Sequence, residues 1–156
     1  MNTEFYSKDR KFGLLLPEDL VSNLMNNATH SYPNETGGIL IGRYSNNLTI
    51  AEVSHISTGS IDSKKYPTQF YRGTAGLQKL LSDAWEKDRS YYLGEWHTHP
   101  NGFPIPSDPD KRQMTEISKS KKYVCPEPVL LILGEIPIKW TFGAFVFPNG
   151  KMIQMK

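Results

Sequence analysis

Cysteine is all but missing from this chain: of 156 residues only Cys125 carries a thiol. A single thiol excludes an internal disulfide framework and a closed four-thiolate metal site. It agrees with a reducing compartment, so a cytoplasmic location is expected. Long apolar runs are missing too. No stretch of about 18 apolar residues occurs, and Met1 to Arg10 is polar and charged, which predicts neither a membrane span nor a secretory signal. Charge of one sign is equally scarce, because Lys+Arg 18 against Asp+Glu 16 leaves a formal net charge of +2. Nucleic-acid binding gets no support from that balance. The densest basic cluster, Lys119 to Lys122, reads as the solvent-facing end of a helix. Repeats and low-complexity linkers are also lacking. The chain is therefore expected to form one domain over residues 1–156, long enough to bury about two-thirds of its unfolded surface.

What is present reads as alternating strands and helices. Phe12 to Leu16 is a first strand, and Pro17 opens a helix in which Leu20, Val21, Leu24, Met25 and Ala28 share a face. Ile39 to Arg43 and Leu48 to Ile56 are predicted as strands joined by a turn across Asn46-Asn47. Thr58 to Thr68 is polar and reads as a loop. A second helix is expected from about Thr74 to Lys87, with Leu77, Leu80, Leu81, Ala84 and Trp85 packing on the sheet. Tyr91 to His97 is a strand, Pro100 to Pro106 a proline-rich spacer, and a short helix follows to about Lys119. Val129 to Gly134 and Lys139 to Phe147 are late strands, with Pro148-Asn149-Gly150 turning into a last short one. The expected class is α/β, with a mixed, curved central sheet flanked by helices.

Chemistry concentrates in two stretches. On an extended chain alternate side chains point the same way, so His97 and His99 can face one metal ion while Trp96 packs on the opposite side. Catalytic zinc usually takes three nitrogen, sulfur or oxygen ligands and keeps a fourth position for water, a count that His97, His99 and Asp110 meet. Upstream, Glu35 stands before the apolar run Gly37-Gly38-Ile39-Leu40-Ile41, where a carboxylate is costly unless paired, and glycines allow close approach. Glu35 is thus a candidate base for a metal-bound water. Each feature also has a plainer reading: Ser107, Pro109 and Asp110 suit a helix start, the histidines a polar strand end, and Glu35 an exposed loop. Cys125 reads as a small buried hydrophobe, His30 as a helix-end residue and His55 as part of a strand.

Taken together, Glu35 before Gly37-Gly38, His97-x-His99, Ser107 and Asp110 closely resemble the JAMM motif of the JAB/MPN metalloproteases. That resemblance, which spans most of the chain from about Phe12, implies an MPN (JAB) domain and one zinc ion (Zn2+) per chain on His97, His99 and Asp110. It further implies that Glu35 acts as acid and base on the water and that Ser107 stabilises the tetrahedral oxyanion.

A narrower resemblance lies in Phe70-Tyr71-Arg72-Gly73, Tyr91 to His97 and Tyr123 to Gly134, which are similar to the deconjugating, deubiquitinase-like peptidases of bacterial type II CBASS anti-phage operons. It implies a protein substrate with an extended C-terminal tail, namely a cGAS-like nucleotidyltransferase joined to a target. The alternatives are a peptidase for a ubiquitin-like or sulfur-carrier protein and a metal-free MPN scaffold. The loop at Thr58 to Thr68 and the spacer at Pro100 to Pro106 are the expected walls of the tail's groove.

Overall fold

Polar residues at the start of the chain form an edge strand, which the reading of that segment as merely charged did not foresee. In the computed structural model, which describes residues 2–45, 47, 49–136 and 139–156, β1 (Asn2–Tyr6) pairs antiparallel with β2 (Gly13–Pro17). Its half-exposed pattern suits an edge, where one face stays wet. Pro17, expected as the first helical residue, is the extended residue before α1 (Glu18–Ser31). Glu18 and Asp19 at one end of α1 and His30 in its last turn complement the helix dipole. Leu20, Leu24 and Ala28 are buried, with Val21 and Met25 packed beside them, as the helical spacing requires.

β3 (Gly37–Ser45) and β4 (Ile50–Ile56) pair antiparallel. Asn46 and Leu48, part of the expected turn and strand start, lie outside the described residues. The stretch read as a loop contains β5 (Lys64–Lys65), which pairs with β6 (Phe70–Tyr71) as a separate two-stranded sheet. α2 (Leu77–Asp88) starts later than the expected Thr74 because Gly76 takes a left-handed φ of 80° that no helix continues. Trp85 does not pack on the sheet. It is 48% exposed, with the Arg89 guanidinium 5.0 Å above its ring. After it come β7 (Tyr91–His99), α3 (Asp108–Lys119), β8 (Val129–Glu135), β9 (Trp140–Val146) and β10 (Ile153–Met155).

The main sheet runs β1-β2-β4-β3-β7-β8-β9-β10, parallel at β2/β4 and β7/β8 and antiparallel elsewhere. It curls far enough that Tyr6 and Lys156 exchange backbone hydrogen bonds of 2.8 Å in both directions, joining first strand to last. α1 covers a core containing Leu14, Leu40, Leu93 and Trp96. A second core, with Ile39, Ile41, Ile132 and Phe145, takes Leu77 and Ala84 from α2 and Met114 and Ile117 from α3. The side of β7 that carries His97 and His99 therefore faces α3.

Candidate active site

Strand periodicity places the histidines as expected. Trp96 points into the core, 1% exposed, and donates its indole N–H to the Ser57 carbonyl at 2.9 Å. His97 and His99 point the other way, and their Nε2 atoms stand 3.1 Å apart. Asp110 Oδ2 lies 3.2 Å from His97 Nε2 and 3.4 Å from His99 Nε2. Ligands about 2.0–2.1 Å from a tetrahedral zinc stand about 3.3–3.4 Å from one another, so this triangle fits such an ion. The His99 ring is also oriented for it: Nδ1 lies 3.0 Å from the Phe103 carbonyl, which can only accept, so Nδ1 carries a proton and the neutral ring would present the lone pair of Nε2 to an ion in place of the proton it shares with Asp110.

Asp110 closes the helix cap and faces the two histidines at once. Ser107 caps α3: its Oγ accepts from the Asp110 N–H at 3.2 Å, and its own N–H donates to Asp110 Oδ2 at 2.9 Å. The oxygen that closes this capping box is the one facing both histidines. Burial pushes the Asp110 carboxyl up, but hydrogen bonds with His97 and His99 outweigh it and hold the acid well below the usual carboxylate range.

Glu35 is buried rather than exposed, at 8%. Its N–H donates to the Tyr66 carbonyl at 2.8 Å, and beyond it Thr36 and Thr98 exchange two hydrogen bonds that lock the start of β3 to the end of β7. The next pair is Gly37 opposite His97. A side chain at Gly37 would put Cβ 2.2 Å from the Trp96 carbonyl and 2.8 Å from His97 Cβ, so glycine alone permits this approach. Gly37→Ala is expected to destabilise by about 1–3 kcal/mol through overpacking, which thermal unfolding would register. A Glu35 carboxylate oxygen and the ligand nitrogens of His97 and His99 all lie within 4.8 Å of one another. Burial pushes the Glu35 carboxyl up to about 7, outweighing the opposing pull of His99. An acid so placed can hold or release a proton near neutrality.

These residues floor a cleft of about 600 Å³. Gln69 to Arg72, Pro100 to Gly102 and Gln113 line it. The expected walls are only partly the observed ones, since Pro67 and Thr68 alone of the 58–68 stretch contribute, while Phe103 and Ile105 turn to solvent. The spacer is seated by its backbone: Pro104 lies so close over Gly143 that a Cβ there would meet its carbonyl at 2.0 Å. Sequence reasoning missed Arg72 and Glu95, an ion pair in the cleft wall. Glu95 was within reach, because it alternates with His97 and His99; its partner lies too far along the chain to be inferred. Cys125 is buried, and burial pushes its thiol up to about 11, so it is no nucleophile at neutral pH. No helix among the described residues is long and apolar enough to cross a membrane.

Known proteins resemble this chain in sequence and in fold. Residues 17–143 match the family described as prokaryotic homologs of the JAB domain. A protein of Enterobacter hormaechei subsp. hoffmannii named CD-NTase/cGAS isopeptidase is 39% identical over 147 residues, covering 94% of this chain and 81% of its own length. The probable metalloprotease y4qB of Sinorhizobium fredii is 28% identical over 140 residues, covering 84% of this chain and 81% of its own. A solution structure of a Desulfitobacterium hafniense protein superposes with a TM-score of 0.65 at 21% identity, covering 90% of this chain and 87% of the other, and so shares the fold. A family match over most of the chain, joined to 39% identity with a relative covered over 81% of its length, makes this protein a member of the prokaryotic JAB (JAB/MPN) family.

Proposed function

We propose that the chain is a zinc-dependent, JAMM-type isopeptidase that hydrolyses the amide bond at the C-terminus of a conjugated protein. The observation that carries this reading is the triangle of His97 Nε2, His99 Nε2 and Asp110 Oδ2, with edges of 3.1, 3.2 and 3.4 Å, beside a raised acid at Glu35. Glu35 also groups with the two histidines, but Asp110 makes the tighter triple and Glu35 is the acid with a proton to trade near neutrality.

Bound by His97, His99 and Asp110, zinc would polarise the scissile carbonyl and lower the pKa of a water to about 7. Glu35 takes the proton of the attacking water and delivers it to the leaving amine as the C–N bond breaks. Ser107 Oγ accepts from Asp110, which leaves its own O–H to donate to the developing oxyanion. Ser107→Ala is expected to lower cleavage by about 100- to 1000-fold while metal remains bound. Loss of the cap should also cost about 1 kcal/mol of stability. Metal analysis beside a cleavage assay separates the two effects.

The names of the relatives support one substrate class, a cGAS-like nucleotidyltransferase conjugated in CBASS antiviral defence. The cleft, lined by β6 and the 100–102 segment among others, has a volume of about 600 Å³ in which an extended tail could lie. The direct test loads the protein with zinc and offers a CD-NTase fused through its C-terminus to a fluorescent protein. Cleavage at the junction is the expected result. Cleavage only of a ubiquitin-like or sulfur-carrier fusion would shift the substrate class, and a protein that binds no metal and cleaves neither would be a scaffold.

A further inference from the structure

Arg72 and Glu95 have no part in the chemistry just described, yet their side chains are only 7% and 5% exposed in the wall of the cleft. Arg72 Nε donates to Glu95 Oε1, and its terminal nitrogens donate to the Gly73 carbonyl at 3.1 Å and the Tyr123 hydroxyl at 2.7 Å. The Tyr92 hydroxyl donates to Glu95 Oε2. Two charges are kept out of water only where geometry and hydrogen bonds compensate them, and here every oxygen and nitrogen of the pair that is buried finds a partner.

What the pair joins gives it a use. Arg72 follows directly on β6, the cleft wall; Glu95 lies on β7 two residues before His97 and on the same side of the strand. β5 and β6 form their own two-stranded sheet, and a hairpin of that size is marginal in water unless something holds it. Among the described residues its further ties are the Glu35 N–H to the Tyr66 carbonyl at 2.8 Å, the Phe70 ring against Gly37, and an exposed bond from Lys65 Nζ to Ser31 Oγ at 3.5 Å, while Asp62 and Ser63 just before it accept from the Thr74, Ala75 and Gly73 N–H groups just after it. One side of the hairpin therefore holds the backbone of Glu35, and the other is fastened beside the metal-facing histidines.

We propose that Arg72 is a positioning residue: paired with Glu95, it clamps the β5–β6 hairpin to β7 and so sets the width of the cleft in which the substrate's tail lies. The proposal rests on the cleft being the substrate cleft. Arg72 touches no reacting atom and acts through the wall it holds.

Two variants test it in the zinc-loaded full chain. Arg72→Lys keeps the charge but loses the planar fork that reaches Glu95, Gly73 and Tyr123 together. The double variant Arg72→Met with Glu95→Leu removes the pair without stranding a buried charge. Amide hydrogen exchange is followed at Tyr66 and Gly73, whose N–H groups are bonded within the hairpin region, and along β7. Steady-state cleavage uses the CD-NTase–fluorescent protein fusion. The hairpin amides should exchange at least ~10-fold faster while β7 keeps its protection. KM should rise about 10-fold with kcat changed less than about 3-fold and zinc content unchanged. Wild-type hairpin protection in Arg72→Lys, or a fall in kcat at constant KM, overturns the clamp. So does loss of protection spread evenly over the molecule, which marks a purely structural pair. If the double variant does not fold, Arg72→Lys decides. If the wild type leaves the fusion intact, the functional reading fails, and the exchange measurement still judges the clamp on its own.

Discussion

Glu35→Gln should bind zinc as the wild type does and cleave about 100- to 10,000-fold more slowly, the usual contribution of a general acid–base. Glutamine keeps the shape of the side chain and the Glu35 N–H bond to Tyr66, a backbone contact that the substitution does not touch. Only the proton shuttle goes. The pH profile supplies a second reading. The carboxyl must be ionised to accept the water's proton, and burial raises it to about 7, so kcat/KM should climb as pH rises from about 5 to 8 and that limb should vanish in the variant. Unchanged metal with full activity in Glu35→Gln would refute the assigned role. Loss of metal together with activity would instead make Glu35 a ligand, the triple that it also forms with His97 and His99.

Stripping the metal should abolish cleavage and reverse the pH dependence of stability. Glu35 is raised by burial from 4.5 to about 7. Burial opposes the charging of His99, but its bonds to Asp110 and to the Phe103 carbonyl prevail and raise it too. For a raised group, the stabilising contribution is complete below the unfolded pKa and disappears as pH rises through the folded one. The chelated protein should therefore melt at a lower temperature at pH 8 than at pH 6. The zinc-loaded protein should behave oppositely, because ligands must shed protons to bind and affinity grows with pH. His97→Ala should abolish the difference between the two preparations, since it removes a corner of the triangle. Calorimetry at the two pH values, with and without chelator, reads all of this. Parallel slopes for stripped and loaded protein would mean that no metal occupies the triangle.

The strand carrying His97 and His99 was legible because period two is a local rule: the two histidines had to share a side and Trp96 had to oppose them. Asp110 was legible for a similar reason, since a serine cap with an acidic residue three positions on fixes where that carboxylate sits. What hid from the sequence depends on contacts between distant segments. The β1 strand is polar on its outer side and announces itself only through β2, while β5 and β6 are two residues each, too short for any alternation to show. Trp85 fell on the right helical spacing but beyond the sheet's cover. For Glu35 the sequence left a buried carboxylate and an exposed loop residue both open, because the Thr36–Thr98 contact that seats it joins segments 62 positions apart.

The reciprocal bonds between Tyr6 and Lys156 carry a consequence for handling and for life in a crowded solution. An open sheet margin invites a second copy to dock its own backbone and begin a filament. Where Tyr6 meets Lys156, the invitation is answered from within by one reciprocal pair of backbone bonds. Proline in place of Tyr6 would remove one of those two bonds, whereas changes at the outward-facing Phe103 and Ile105 leave both in place.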